Sequence, residues 1–526
     1  MAGDFLNTGF IGASNGLDNA FGLIANTGIA GFFSNSGRIS GDAAVAINTL
    51  GGAFYNTADG EIVGGASALR IDDFAGVYFE NAGLIQASGA AVTMTNGIAG
   101  ASYFINTSTG TIVSDQGVGF ALQSTDPADA QISSIQNLGL IQGGTSGIYA
   151  EGQDHLDILN AGEIRSSDAD LAAIMVDGPS LQVFNNVGGL IEGGLGIQTL
   201  DGADRVFNQG DIRGLSGVAM DLGDGDDLFV NYATGLFEGS VLGGDGYDGF
   251  VLRGTYTLDM LIDGFESVSI IGLGSGRGPG QTYVTLGRDL AASDQGNNSG
   301  WLDLAGYTFD TPFFTNIGTV IGNGGTINGE LYNVGVLAGD GVTVTGNVVN
   351  QTLMDPFGSG VGTFSFQGDF FNLDDGEEFL LQSFPGTGGS PVSVGSFRDG
   401  VIIFDVAGTT YDQLIIGGTA SINGVITLRG DWSDLARSRQ TINLVTAAGG
   451  ISGSPELLAA TGLLFTPQLS FGANSLNLSF LASDFATALA PSTYNQTQAA
   501  LGLQARWNAG ASPVDDLILA LNAGAP

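Results

Sequence analysis

The sequence predicts an all-β fold, a parallel β-helix, and three observations support this prediction. A short phrase recurs in which an apolar residue is followed by Asn, a small residue, Gly and a β-forming residue, as in Phe33-Ser34-Asn35-Ser36-Gly37-Arg38-Ile39. The asparagines of this phrase, from Asn35 to Asn231, step by 21, 25, 25, 31, 23, 25, 23 and 23 residues. Glycine contributes 89 of the 526 residues, well above its average share in proteins of about 7%.

The repeat length indicates how the chain packs. Each repeat contains two or three short apolar stretches separated by Asn, Gly and Asp, which are turn residues. Such a unit cannot bury an apolar face alone, so we expect one coil per repeat, each adding about 4.8 Å to a stack. Helical periodicity is absent from these repeats, which argues against helical arrays. The asparagines are expected to tolerate left-handed backbone at the corners and to hydrogen-bond their copies in neighbouring coils.

The regularity of the phrase divides the chain into sections. Residues 1–253 carry the clear repeats, and residues 254–335 keep strand composition but lose the repeat. Within this irregular section, Gly274–Gly280 and Asp294–Asn298 are predicted to be exposed loops or insertions. The phrase resumes in a looser form after residue 316 and continues through residues 336–484.

The last section, residues 485–526, is predicted to be helical. Tyr494–Asn508 and Pro513–Leu521 are rich in Ala, Leu and Gln with helical spacing. Ser492 and Ser512 are the predicted N-caps, since Ser at this position accepts a hydrogen bond from the first turn, and Pro513 suits the first helical position.

Composition excludes several function classes. The chain has no Cys, which excludes disulfides, thiol nucleophiles and thiolate metal sites. Its 13 basic residues are all Arg, which excludes a lysine base and a phosphate loop of the Walker type. A single histidine, His155, rules out a polyhistidine metal site within one chain. The formal net charge of −40 opposes binding to nucleic acid or to anionic lipid. We therefore expect no nucleic-acid partner.

Three segments in the C-terminal third resemble the passenger domains of bacterial autotransporters (type V secretion). The first runs Val336-Leu337-Ala338-Gly339-Asp340-Gly341-Val342-Thr343-Val344-Thr345-Gly346-Asn347-Val348 and is followed by Gly362–Phe370. The second runs from Tyr411-Asp412-Gln413-Leu414 to Gly424, and the third is Leu444–Gly453 with Ser470–Leu478 as its partner strand. The tail Asn495–Leu501 is similar to the helix that links passenger to membrane barrel in that family.

The resemblance implies a right-handed β-helix ending in a short helical linker, on the surface of a Gram-negative cell, in its outer membrane, or outside it. It implies a non-enzymatic role in adhesion, aggregation or surface structure, with a ligand on a host or neighbouring cell, or self-association, as the interaction. No signal peptide follows Met1 and no barrel precedes Pro526, so we expect a passenger without its translocation machinery. In that family the membrane contact is made by the C-terminal barrel, which is missing here. The absence of Cys agrees with passage through an oxidising periplasm.

An Asp-Gly phrase recurs at residues 201–251 and is the candidate metal site. Gly243–Val251 matches the calcium-binding nonapeptide G-G-x-G-x-D-x-U-x, and residues 222–230 miss it only at Leu222. The candidate calcium ligands are Asp204, Asp224, Asp226, Asp227, Asp245 and Asp248. The copies are one coil apart rather than nine residues apart, so a repeated Asp-Gly turn without metal is the competing interpretation, and a calcium-stabilised surface layer or fibre is an alternative function.

Catalytic interpretations have less support in the sequence. Gly12-Ala13-Ser14-Asn15-Gly16 matches the G-x-S-x-G nucleophile elbow but lacks the strand and helix that this elbow needs, and a serine triad would have to use His155. His155 lies in a degenerate Asp-turn phrase, which indicates a solvated turn histidine. A polysaccharide lyase or hydrolase on the β-helix remains the enzymatic alternative. The aromatics Tyr103, Tyr149, Tyr232, Trp301 and Tyr307 are either a glycan surface or ordinary packing.

Overall fold

A computed structural model describes residues 3–12, 21–74, 78–95, 102–124, 132–152, 155–178, 180–272, 281–356, 360–374, 399–458, 464–491, 493–510 and 515–522. The chain divides into two compact units. The first unit comprises Met1–Thr255, Asp259–Ser269 and Ala291–Ser293, and the second comprises Tyr256–Leu258, Ile270–Leu290 and Asp294–Pro526. No helix within the described ranges is both long enough and apolar enough to span a bilayer.

The first unit is a stack of parallel β coils with two sheets. The first sheet of this unit, sheet 1, contains the strands Phe5–Asn7, Phe33–Asn35, Phe54–Asn56, Tyr78–Asn81, Ser102–Asn106, Ile132–Asn137, His155–Asn160, Leu181–Asn185, Arg205–Asn208, Leu228–Asn231 and Gly249–Leu252. Its second sheet, sheet 2, contains Phe10–Gly12, Phe21–Ala25, Arg38–Leu50, Glu61–Phe74, Leu84–Ala87, Ala90–Thr95, Thr111–Ser114, Phe120–Gln123, Leu140–Gly143, Ile148–Glu151, Glu163–Ser166, Ala172–Asp177, Leu190–Thr199, Asp211–Asp221, Leu236–Leu242 and Ile262–Asp263. Three strands contain residues of both units: Thr255–Leu258, Ser267–Ile270 and Leu290–Ala291.

The second unit is also built mainly from parallel coils. One set of strands is Gln295–Asn298, Thr308–Asn316, Thr326–Asn333, Thr343–Val344, Val348–Asn350, Thr363–Phe366, Phe370–Asn372, Gln413–Ile416, Ala420–Ile422, Ile442–Ala447, Ile451–Gly453, Phe465–Phe471 and Ser475–Ala482. The other set is Tyr283–Leu286, Trp301–Asp303, Thr319–Ile321, Val336–Ala338, Leu353–Asp355, Val401–Ala407, Thr410–Tyr411, Val425–Asp431 and Glu456–Leu458. These stacked parallel sheets confirm the predicted β-solenoid.

Aligned apolar side chains form the interior. The rings of Phe33, Phe54 and Phe79 stack in successive coils with centroids 4.7 and 4.6 Å apart. This spacing equals the distance between neighbouring strands in a sheet, so each phenylalanine rests on the one below it. The same apolar position of the repeat therefore fills the core in one coil after another.

The repeated asparagines form ladders, as the sequence predicts. In the first unit each side-chain Nδ2 donates to Oδ1 of the next asparagine at 2.7–2.9 Å, through Asn7, Asn35, Asn56, Asn81, Asn106, Asn137, Asn160, Asn185, Asn208 and Asn231. The second unit repeats the pattern through Asn298, Asn316, Asn333, Asn350 and Asn372. The prediction that these asparagines adopt a left-handed backbone conformation is wrong, because none of them has a positive φ.

The predicted loop at Asp294–Asn298 is also wrong. Gln295–Asn298 is a strand, and Asn298 is buried as the first member of the second ladder. The polar composition of this segment results from the ladder position and from outward-facing residues, not from a surface loop. The other predicted loop, Gly274–Gly280, lies outside the described residues.

The parallel stack of the second unit ends in antiparallel pairing and helices. Ser475–Ala482 pairs antiparallel with Ile442–Ala447 and with Phe465–Phe471, which confirms the predicted partner strand. The helices are α1 (Ser433–Ser438), α2 (Phe485–Ala488), α3 (Tyr494–Asn508) and α4 (Asp515–Asn522).

The C-terminal helices pack onto the last strands. Phe465, Phe485, Trp507 and Ile518 belong to one buried cluster, and the Phe465 and Trp507 rings lie 4.4 Å apart. The bounds of α3 match the predicted helix, but its N-cap is Thr493, which forms a capping box with Gln496. The N-caps predicted from sequence, Ser492 and Ser512, and Pro513, lie outside the described residues.

Candidate functional site

A column of buried aspartates lies where the strands of sheet 1 begin in the first unit. Arg205, Leu228 and Gly249 are aligned in neighbouring strands, so the residues just before them are stacked as well. These residues are Asp204, Asp227 and Asp248, and all three are buried. The stacking that the Asp-Gly spacing predicted is present, and we call these three residues the aspartate ladder.

Backbone amides hold one oxygen of each carboxylate in the ladder. Oδ1 of Asp227 accepts from the Asp204 N–H at 2.7 Å, and Oδ1 of Asp248 accepts from the Asp227 N–H at 2.8 Å. At one end the Leu181 N–H donates to Asp204 at 2.6 Å, and at the other end Glu266 accepts from the Asp248 N–H at 2.7 Å. The ladder therefore has a fourth carboxylate that the sequence analysis missed. Its signal was the spacing, because Glu266 follows Asp248 by 18 residues, close to one coil.

The second oxygen of each ladder carboxylate is buried without a hydrogen-bond donor. Oδ2 of Asp204, of Asp227 and of Asp248 has no such partner. An ionised carboxylate in this setting is unfavourable because burial removes its hydration. Burial accordingly raises the pKa of Asp204 to about 6 and that of Asp227 to about 8, and it also raises the pKa of Asp248. The negative charges of neighbouring carboxylates add to this effect at Asp227 and Asp248.

The other predicted calcium ligands lie on the surface of the same corner. Asp224 and Asp245 are exposed and form a parallel bridge in adjacent coils, while Asp226 is exposed and accepts from the Tyr247 N–H at 3.0 Å. The six aspartates are therefore two groups, one buried and one solvated. The spacing indicated their common corner but not this division.

Glycine is required at this corner because successive coils approach closely. A Cβ on Gly225 would lie 1.5 Å from the carbonyl oxygen of Gly202, and one on Gly246 would lie 1.7 Å from that of Gly225. Both glycines have a positive φ, of 151° and 146°. The Asp-Gly phrase is thus a steric requirement of stacking, independent of any metal.

A second cluster of carboxylates lies in the second unit and was not predicted. Among the described residues, Asp355, Asp405 and Asp412 are the one set of three possible metal ligands whose ligand atoms all lie within 4.8 Å of one another, and all three are buried. The Arg429 guanidinium contacts two of them, with Nε 2.5 Å from Asp405 Oδ1 and an Nη 2.9 Å from Asp355 Oδ2. This arginine already supplies the cation that the carboxylates need.

The third carboxylate of this cluster, Asp412, fastens two backbone segments. Its two oxygens accept from the N–H groups of Gly362 and Asp405, each at 2.7 Å. Burial raises the pKa of Asp412 to about 6, although these two hydrogen bonds oppose the shift. The pKa of Arg429 lies above its ordinary value because Asp405 accepts its hydrogen bonds. The cluster is best explained as a set of ion pairs and hydrogen bonds that holds neighbouring coils together. The sequence analysis did not identify it because its members lie up to 74 residues apart.

The single histidine is not in a solvated turn, as the sequence suggested, but begins the strand His155–Asn160. Its Nδ1 lies 2.6 Å from Ser180 Oγ in the next coil, and its Nε2 lies 3.0 Å from Asp157 Oδ1 on its own strand. The G-x-S-x-G serine, Ser14, lies outside the described residues. The structure thus places the histidine between a serine and an aspartate that the sequence analysis did not select.

The candidate aromatics of the first unit lie at three different positions. Tyr103 is exposed on sheet 1 of the first unit, Tyr149 lies on sheet 2 with its hydroxyl 3.0 Å from Glu151, and Tyr232 lies in a turn under the Arg253 guanidinium. Trp301 and Tyr307 belong to the second unit. The sequence matches no protein-family model and no curated protein.

Proposed function

We propose that the chain is an autotransporter passenger, a non-enzymatic surface-displayed or secreted β-helical scaffold of a Gram-negative bacterium. The observation that supports this most strongly is the order of the C-terminal coils. The segments that resemble the passenger family follow one another in the stacked coils of the second unit, because Val348 is aligned with Phe370, Phe370 with Ala420, and Ala420 with Ile451. An antiparallel hairpin and packed helices follow them, in the order the resemblance implies.

The proposed mechanism of the scaffold is geometric. Stacked coils hold outward-facing residues in fixed columns, so corners and strands present an ordered surface to another cell, to a host ligand or to a second copy of the chain. The net charge of −40 keeps such a surface solvated and opposes unspecific association. Adhesion, aggregation or surface structure would follow from this ordered display without any chemical step.

Display on living cells tests the proposal. The chain is fused between a signal peptide and an outer-membrane barrel from another protein in a non-adherent Gram-negative host. We expect protease-accessible display and increased aggregation or attachment relative to the barrel carrying an unrelated β-helix. Trp507→Ala should reduce folded display because it opens the C-terminal cluster, whereas Tyr494→Ala, at a side chain 76% exposed, serves as the control. Folded display without either phenotype would contradict the adhesive function.

A calcium-stabilised array is a second candidate, favoured by the orphaned Oδ2 atoms of the aspartate ladder. Calcium prefers six to eight oxygen ligands, and buried carboxylate oxygens beside glycine turns are a suitable donor set. Asp227 and Asp248 with the turn backbone would hold the ion, which would supply the positive charge that the ladder lacks. The six predicted aspartates do not bring three ligand atoms within 4.8 Å of one another, so backbone oxygens of the turn would have to supply the remaining ligands.

Thermal unfolding with and without calcium tests this candidate. We expect calcium, but not magnesium, to raise the melting temperature of the intact chain, and Asp227→Asn to remove the increase. Asp59→Asn, an exposed turn aspartate of the same unit, is the matched control and should leave the response unchanged. If calorimetric titration gives no heat and the melting temperature does not move, the ladder holds protons rather than calcium.

A further inference from the structure

We infer that Ser180, His155 and Asp157 form a nucleophilic site that transfers acyl groups from carboxylic esters to water. The inference goes beyond the proposed scaffold role, which by itself involves no chemical step, and adds a catalytic activity to the same chain. It rests on the two hydrogen-bond distances around the single imidazole, 2.6 Å from Nδ1 to Ser180 Oγ and 3.0 Å from Nε2 to Asp157 Oδ1. A nucleophile, a base and a group that orients the base are thereby within hydrogen-bonding reach of one another.

The parallel register explains why these residues meet. Leu156 and Leu181 are aligned in neighbouring strands, so the residues before them, His155 and Ser180, lie side by side. Asp157 follows His155 by two residues and therefore points to the same outward face of the strand. The Gln182 side chain, aligned with Asp157, donates to Asp157 Oδ1 at 3.3 Å and helps to hold it.

The hydrogen bonds select the tautomer that a base requires. An aspartate oxygen accepts, so the imidazole proton belongs on Nε2, facing Asp157. Nδ1 then carries the lone pair and accepts from the Ser180 hydroxyl. The imidazole is thus oriented to remove the proton from Ser180 as its Oγ attacks a carbonyl carbon, while Asp157 stabilises the imidazolium that forms.

The neighbouring coil places a small residue next to Ser180 and a cation next to Gln182. The residue stacked beyond Ser180 is Ala203, whose small side chain is exposed. Arg205 is aligned with Gln182, is exposed, and forms no hydrogen bond or ion pair with a described residue. By contrast, Arg165 and Arg213 share Glu192. A free guanidinium and the second N–H of the Gln182 amide are suitable donors for a developing oxyanion, and Arg205 favours esters that carry a negative charge.

The reaction balances with water as the second reactant. Ser180 Oγ bonds to the ester carbonyl carbon as its proton moves to His155 Nδ1. The carbon–oxygen bond to the alcohol then breaks, and the alcohol leaves with that proton, which gives acyl-Ser180. Water adds to the acyl carbon and transfers a proton to His155, and the carboxylic acid departs as the proton returns to Ser180 Oγ.

Covalent labelling of the intact chain by a fluorophosphonate, with mass mapping of the modified residue, tests the inference. We expect labelling at Ser180 about 100-fold faster than at any other serine, since a positioned base contributes at least about that factor. His155→Gln should remove this advantage, Asp157→Asn should reduce it, and Ser134→Ala should not change it. Ser134 is the matched control because it lies on the same face one coil away, aligned with Asp157.

Hydrolysis of p-nitrophenyl acetate and of an anionic aryl ester gives a second readout. Ser180→Ala should abolish turnover of both esters, and Arg205→Gln should lower kcat/KM for the anionic ester more than for the neutral one. Mapping on the wild-type chain does not depend on the folding of any variant. Absence of labelling, equal labelling of Ser180 and other serines, or labelling of Ser180 that survives His155→Gln would overturn the inference.

Discussion

The strands of sheet 1 in the first unit have a column of buried polar side chains at each end, and the hydrogen-bonding groups of the two columns are satisfied in different ways. In the strand Arg205–Asn208, the buried Asp204 stands just before the first residue and the buried Asn208 is the last residue. Asn208 accepts from Asn185 and donates to Asn231, so its side chain continues a chain of hydrogen bonds. Asp204 has one oxygen held by a backbone N–H and a second oxygen with no donor.

The difference follows from the chemistry of the two side chains. An amide carries both a donor and an acceptor, so a column of amides can satisfy itself from coil to coil without charge. An ionised carboxylate only accepts, so a column of carboxylates needs protons or a cation between its members. We therefore expect the asparagine ladders to set stability at any pH and the aspartate ladder to make stability depend on solution conditions.

The largest expected effect is a loss of stability with rising pH. The pKa values of Asp204 and Asp227 are raised in the folded chain, so between pH 4 and 8 the folded state holds protons that the unfolded state has released. The free energy of unfolding must then fall across this range. Asp204 alone accounts for on the order of 3 kcal/mol, since its pKa rises from 3.8 to about 6. Urea unfolding at a series of pH values measures it, and a flat or rising profile would refute it.

The next effect is a break in the asparagine ladder. Asn160→Ala removes the donor to Asn185 Oδ1 and leaves that buried oxygen without this hydrogen bond, whereas the Asn137 amide keeps the carbonyl oxygens of Gly139 and Glu163 as acceptors. We expect a loss of about 2 kcal/mol at every pH, because an unmet buried group is unfavourable by about 1–3 kcal/mol. Denaturant midpoints at pH 5 and 8 measure it, with the exposed neighbour variant Asn186→Ala as control. Equal midpoints for the two variants would show that the ladder contributes little.

The smallest expected effect comes from replacing one aspartate of the aspartate ladder by asparagine, the residue of the other column. Asp227→Asn keeps the acceptor for the Asp204 N–H and removes the charge from a group whose pKa is about 8. We expect a gain of about 1 kcal/mol at pH 8 and no gain at pH 4, because the new amide N–H group offsets part of the benefit. The pH profile of this variant should be flatter than that of the wild type. An unchanged slope would locate the pH dependence in other groups.

Much of the candidate site was predictable, because the relevant residues recur at the coil period. The buried Asp204, Asp227 and Asp248 were selected from the Asp-Gly phrase alone, and their stacking is present. Their separation from the exposed Asp224 and Asp245 was not predictable, since both kinds of residue share one turn and differ only in the direction of their side chains. The role of Asp224 and Asp245 as ligands stays a prediction.

Sequence by itself determined the β-solenoid, the asparagine ladders and the C-terminal helices. Each follows from local properties: turn residues at regular intervals, one apolar face per strand, and helical spacing in the tail. Contacts between columns depend on which residue of one coil lies beside which residue of the next. The separation of ladder neighbours varies from 17 to 31 residues, because corners absorb insertions while strands stay aligned.

Because the number of residues between neighbouring coils varies, only the tertiary structure decides which side chains of different coils come into contact. Ser180 lies 25 residues from His155, and Gly362 lies 50 residues from Asp412, and no fixed period predicts both contacts. Backbone hydrogen bonds between parallel strands set the register, and the register then brings unrelated side chains together. The pairing of His155 with Ser180, and that of Arg429 with Asp355 and Asp405, are therefore products of stacking that no local pattern in the sequence records.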